Sequence, residues 1–158
     1  MKRTQHERYM DLALAQAGRA FALNEVPVGA LIVDGDGKVI ARAHNVVERK
    51  KTQTAHAELL VLAKAGKKIG DWRLENCWLY VTLQPCSMCW NAILLSRLQG
   101  VVYGATSTLF GYHLDKHTDS LLYKDRSMPL SVVTGVRAEE SKALLQRFFK
   151  QKRVGHDE

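Results

Sequence analysis

Cysteine is scarce in this chain. Three cysteines among 158 residues do not make a disulfide framework, and a reducing cytoplasm is the expected compartment. No apolar run approaches the length of a membrane span. The opening residues, MKRTQHERYM, are charged and hold no apolar signal core, so secretion is not expected. There is no internal repeat, no low-complexity stretch and no interdomain linker. What is left is one ordinary domain over residues 1–158. Its hydrophobic fraction of 46% is enough for a sizeable core.

Charge is less evenly balanced. Lys and Arg number 23 against 16 Asp and Glu, a formal net charge of +7. A basic surface attracts polyanions, with RNA or DNA first among them. Many soluble proteins are also basic for solubility alone, so charge by itself leaves both readings open.

Periodicity supplies the elements. Thr4 and Glu7 form a T-x-x-E capping box ahead of Met10, Leu14, Ala17 and Phe21, which predicts a helix over residues 5–22. VPVGALIVD and KVIARAHN are β-rich runs joined by the hairpin signal DGDG. AHAELLVLAKAG is helical, with Gly66 as its expected stop. CWLYVTL is a strand, and Pro85 is placed to open a helix over CSMCWNAILLSRL. GVVYGA and LSVVTGV are strands. The poor pattern between Thr106 and Met128 predicts mostly loop with a short helix. AEESKALLQRFFKQKR is a last helix with a basic end. This alternation predicts one mixed sheet with helices on both faces.

The chemistry concentrates in two stretches. Cys86 and Cys89 stand at i and i+3 of a helix start, where both sulfurs share one side of the turn. Free N–H groups and the helix dipole favour thiolates there. The pair fits half a zinc site, a redox pair or two packed cysteines. Zinc takes four partners. Cys77 begins the strand that leads to Cys86, and six extended steps put it roughly 20 Å from Leu83. It is therefore expected as a buried small residue, outside any site. His56, in HAE, is the alternative. If His56 joins Cys86 and Cys89, three protein ligands leave one position for water, which is the catalytic pattern. Glu58 follows two residues later. In mid-helix, i and i+2 diverge by about 200°, so spacing alone does not aim both side chains at one ion. A carboxylate beside zinc but not bound to it can shuttle protons.

HAE followed by PCSMC resembles the signature of the zinc-dependent nucleobase deaminases. NEVPVGALIV, AHN and FFKQKR narrow the resemblance to bacterial tRNA-specific adenosine deaminases, over residues 9–153. The resemblance implies a three-layer α/β/α sandwich with a central mixed five-stranded sheet, cytidine deaminase-like, and a homodimer. It implies hydrolytic conversion of the wobble adenosine of a tRNA anticodon stem-loop to inosine, with one zinc ion per chain. Carried over, His56, Cys86 and Cys89 are the zinc ligands and Glu58 is the catalytic proton shuttle. Asn45 contacts the target nucleoside, though an Asx turn after a strand explains it as well. Val28 and the Ala57 backbone wall the base pocket. Arg147, Lys150, Lys152 and Arg153, with Phe148 and Phe149, belong to a C-terminal helix that meets RNA. The plainer reading of the two Phe residues, favoured here, is core packing on an amphipathic helix.

The chain departs from the family pattern in places. Gln84 stands where Glu usually precedes Pro-Cys. Trp90 and Asn91 follow the second cysteine in place of small residues. The loop after VVYGA keeps a glycine, Gly111, but has Ser107 at its acidic position. These changes leave two other readings. One is a deaminase of free guanine, cytosine or a nucleoside. The other is a zinc-stabilised RNA-binding module without turnover.

Overall fold

The computed structural model describes residues 4–107 and 130–156. The Thr106–Met128 loop expectation, and Gly111 with it, lies outside the described residues except for Thr106 and Ser107.

Helix α1 (Gln5–Ala22) starts on the expected box: the Glu7 amide donates to Thr4 Oγ1 at 3.2 Å, and the Thr4 amide to Glu7 Oε2 at 2.9 Å. Its buried stripe is Met10, Ala13, Ala17 and Ala20. Small residues there let the helix lie close on the sheet. A Cβ at Gly29 would collide with the Ala13 carbonyl oxygen. Strands β1 (Gly29–Val33) and β2 (Val39–His44) pair antiparallel. In the turn between them Asp34 Oδ1 accepts the Asp36 and Lys38 amides, and Gly37 takes φ +83°.

A four-residue helix α2 (Val47–Lys50) follows, which the aperiodic NVVERKKTQ did not signal. Helix α3 (Ala57–Ile69) runs past Gly66. The expected stop was wrong because the chain ends the helix at Gly70, whose φ of +83° permits the left-handed cap. Strand β3 (Trp78–Leu83), helix α4 (Ser87–Leu95), strand β4 (Gly100–Ala105), strand β5 (Ser131–Val133) and helix α5 (Ala138–His156) complete the order.

The sheet order is β2-β1-β3-β4-β5, with β1 antiparallel to both neighbours and β3, β4 and β5 parallel. Alternate side chains divide between two cores. Ala30, Ile32, Leu79, Val81 and Val101 meet α3 and α4 through Val61, Ala65, Trp90 and Ile93. Leu31, Val33, Tyr80 and Val102 face α1 through Met10 and Ala13. Helix α5 shares the α1 side: Phe148 packs edge-on to Phe21, and Arg137 Nε donates to Asp11 Oδ1 at 3.0 Å. The expected three-layer α/β/α sandwich around a mixed five-stranded sheet is what forms. It places the first turns of α3 and α4, on one face, within reach of each other.

Candidate active site

Both helix starts carry unusual caps. His56 is the N-cap of α3 (φ −72°, ψ 145°) and Cys86 the N-cap of α4 (φ −73°, ψ 173°), and neither side chain caps its own helix. The side chains meet instead. His56 Nδ1 lies 3.4 Å from Cys89 Sγ and 3.8 Å from Cys86 Sγ. The three ligand atoms all lie within 4.8 Å of one another. Tetrahedral zinc with S at about 2.3 Å and N near 2.05 Å needs S···N separations of about 3.6 Å. The observed pair straddles that value, so the donor set fits zinc in type and spacing. Among the described residues this is the only such cluster, and Cys77 is outside it, buried at the start of β3.

Glu58 is 4% exposed, in the first turn of α3. Its distance from His56 on a helical wheel does not apply, because His56 stands in extended backbone before the helix begins. The carboxyl reaches hydrogen-bonding contact with Cys89. Burial raises its pKa above the ordinary range, opposed by its own backbone N–H, Cys89 and the charge of His56. These three side chains share their protons unequally. Hydrogen bonds from Cys89 and His56 pull Cys86 down to about 4. Cys89, bonded to the Cys86 thiolate and buried, is pushed up and keeps its proton. His56 is raised by its bond to Cys86, against the effect of burial.

The other expected pocket residues come together around this cluster. The Asn45 amide donates to the Val28 carbonyl at 3.1 Å, and Asn45 Oδ1 accepts the Ala57 amide at 2.8 Å. That bond fixes the carboxamide orientation, since only the oxygen accepts. All three residues are buried. Gln84 is buried as well, with its Oε1 accepting the Ser107 amide at 3.0 Å. Two of the departures from the family pattern are thus bonded to each other. Trp90, a third, fills the core behind the site, edge-on to Tyr103.

Arg147, Lys150, Lys152 and Arg153 lie on the C-terminal half of α5, all four exposed, and do not join the His56, Cys86 and Cys89 cluster. The structure divides the two phenylalanines. Phe148 is 5% exposed and in the core, whereas Phe149 is 46% exposed, which corrects the expectation that both pack inward. One residue near the site escaped notice. Glu25 is 1% exposed, and its two carboxylate oxygens accept the Glu48 and Arg49 amides at 3.1 and 2.8 Å. An acidic residue leading the apolar run VPVGALIV was the signal.

Residues 3–105, which hold all four of His56, Glu58, Cys86 and Cys89, match the cytidine and deoxycytidylate deaminase zinc-binding region. The chain belongs to this family. Among its relatives is a tRNA-specific adenosine deaminase of Bacillus subtilis (strain 168), 44% identical over 151 residues, 95% of this chain and 92% of that one. A solved structure from studies of A-to-I editing by tRNA:A34 deaminases at the wobble position is 36% identical. It covers 87% of this chain and 99% of its own, with a TM-score of 0.78. A guanine deaminase of Bacillus subtilis is 30% identical with a TM-score of 0.63, covering 90% of this chain and 94% of its own. The likeness therefore extends past the matched region into the C-terminal part of the chain.

Proposed function

We propose that the chain is a zinc-dependent hydrolytic deaminase that converts adenosine to inosine, with release of ammonia, at the wobble position of a tRNA anticodon stem-loop. The observation that carries the chemistry is the convergence of His56, Cys86 and Cys89, with the buried carboxyl of Glu58 against Cys89. The substrate class rests on 44% identity along nearly the whole chain to a tRNA-specific adenosine deaminase.

His56 Nδ1 and the two Sγ atoms hold the metal, one per chain. Zinc in such a site supplies a water acidified to a pKa of about 7. Glu58 takes a proton from the attacking water and delivers it to adenine N1; it then takes the remaining proton of the hydroxyl added at C6 and passes it to the amine, which departs as ammonia as the C6 carbonyl forms. Its raised pKa suits a group that must both take and return a proton. Asn45, whose oxygen is held by Ala57, presents its Nδ2 donors to the nucleoside. Val28 and the Ala57 backbone wall the base. Arg147, Lys150, Lys152 and Arg153 meet the RNA backbone. The unit is one domain over residues 1–158 with a basic C-terminal helix, working as a cytoplasmic homodimer. Exposed Ile69, Trp72 and Leu95 are large apolar side chains available to an interface.

The likeness to a guanine deaminase favours one competing reading, deamination of a free base or nucleoside. A zinc-stabilised RNA-binding module without turnover leaves the buried Glu58 unexplained. Incubation with an anticodon stem-loop, adenosine, cytidine, guanine and cytosine, with ammonia and product nucleoside measured, separates the three. Inosine in the stem-loop alone is expected. Ammonia from guanine or cytosine with an unchanged stem-loop overturns the substrate, and no ammonia from any overturns the enzyme.

A further inference from the structure

Between strand β2 and helix α3 the chain leaves the sheet for ten residues, 46–55, and returns to the same place. The neck is closed by the Val46 amide on the Ala55 carbonyl at 3.1 Å. Asn45 flanks one side of the neck and His56 the other. Compact loops with close ends are often functional. This one carries helix α2 and then Lys51, at φ +54°. Residues 48–51 are Glu, Arg, Lys and Lys, all exposed, leaving net +2 on a single turn. Among the described residues no ion pair ties Arg49, Lys50 or Lys51 to a carboxylate.

The turn is held from beneath by Glu25. A carboxylate at 1% exposure is costly to bury, and both its oxygens are spent on the backbone of this one turn. A merely solvated loop has no use for such an anchor. Further bonds stiffen the rest: the Thr52 amide to the Val47 carbonyl at 3.2 Å, the Ala55 amide to the Thr52 carbonyl at 3.2 Å, and Thr52 Oγ1 to Thr54 Oγ1 at 2.9 Å. The result is three cations on a fixed backbone, in a loop whose neck lies between two residues of the site.

We infer that residues 49–51 form a phosphate-gripping surface for the substrate RNA, seating the backbone beside the nucleotide that enters at Asn45 and His56. This rests on the stem-loop reading above. Backbone phosphates adjoin any flipped nucleotide, whereas a free base brings none. The positive turn supplies affinity and register, and the chemistry stays with Glu58.

The test uses the zinc-loaded full chain carrying Arg49→Gln, Lys50→Gln and Lys51→Asn together. Asn is chosen because it tolerates the left-handed backbone. Glu25 and its two amide partners remain. The probe is an anticodon stem-loop, titrated across a salt series. Without these three cations the slope of log K against log salt should fall by about 2, and affinity near 0.1 M salt by about tenfold or more. Zinc content and unfolding temperature should not change, and kcat at saturating stem-loop should fall much less than affinity. A control, Lys67→Gln with Lys68→Gln, removes exposed cations from the far end of α3 and should leave the slope as in wild type. Superimposable curves for triple variant and wild type, or an equal drop in the control, overturn the surface while leaving the deaminase standing. A wild-type protein that neither binds nor deaminates the stem-loop overturns both.

Discussion

At the scale of single residues, Glu58 and the three ligands set the sharpest expectations. Glu58→Gln keeps the shape and hydrogen bonding of the side chain but cannot return a proton. Deamination should fall by about 10²–10⁴-fold with zinc content unchanged. Near-normal turnover would remove Glu58 from the chemistry. Zinc binding should also release protons. The metal-free site holds one on Cys89, whose pKa is raised, and one on His56 below its own raised pKa. Cys86, at about 4, is already a thiolate at neutral pH. Binding below His56's raised pKa therefore expels about 2 protons, one from each, and affinity must rise with pH until His56 and Cys89 are both deprotonated. Calorimetry in buffers of different ionisation enthalpy counts them, and a pH-independent affinity contradicts the assignment. Cys86→Ala should lose metal and activity together. Cys77→Ala should keep both, since that thiol lies outside the cluster and is simply buried.

At the scale of elements, how much was legible depended on whether the signal was local. The capping box of α1, the hairpin and the C-x-x-C helix start were readable because each lies within a few residues and has one mechanism. His56 and Glu58 were named from residue type and family likeness, but their convergence was not readable. It depends on α3 starting at Ala57, which leaves His56 extended, and a boundary of one residue is beyond periodicity. Helix α2 and Glu25 were missed for a related reason. A four-residue helix has no period, and its anchor stands more than twenty residues away in sequence. Helix α5 shows the same limit within one dipeptide: FF reads alike at both positions, yet only Phe148 is buried, against Phe21. Phe148→Ala should destabilise the fold by about 3–5 kcal/mol, as large aromatic truncations in cores do. Phe149→Ala, at a site already 46% exposed, should cost a small fraction of that. Chemical denaturation of the two variants side by side checks it, and equal losses would mean that Phe149 is covered in the working protein.

At the scale of the whole molecule, the net charge of +7 acquires a location. Part of it is the turn held by Glu25, and part is the end of α5. There Lys150, Lys152 and Arg153 are exposed, while the body of the helix is fastened to the sheet. Ser141 Oγ donates to the Thr82 carbonyl at 2.5 Å, two residues before Gln84. If that end grips phosphates, changing Lys150, Lys152 and Arg153 to Ala removes their counterion release. The salt slope of stem-loop binding should then fall by about 2. Stability should hardly move. Lys152 over the Phe148 ring at 5.5 Å is an exposed cation–π pair, worth about 0.5–1 kcal/mol. The bond from Arg153 Nε to the Phe149 carbonyl is exposed and long, at 3.5 Å. Zinc content should not change, because none of the three is a ligand. Turnover of bound stem-loop should suffer less than affinity, because phosphate contacts position and do not react. Combined with the changes at 49–51, the losses in log K should add, as expected for two surfaces that grip different phosphates of the stem-loop. A free base offers these charges nothing, so guanine turnover would be blind to all six. Superimposable stem-loop curves, with guanine deaminated well by wild type and variant alike, would make the basic surface incidental and the substrate a small neutral molecule.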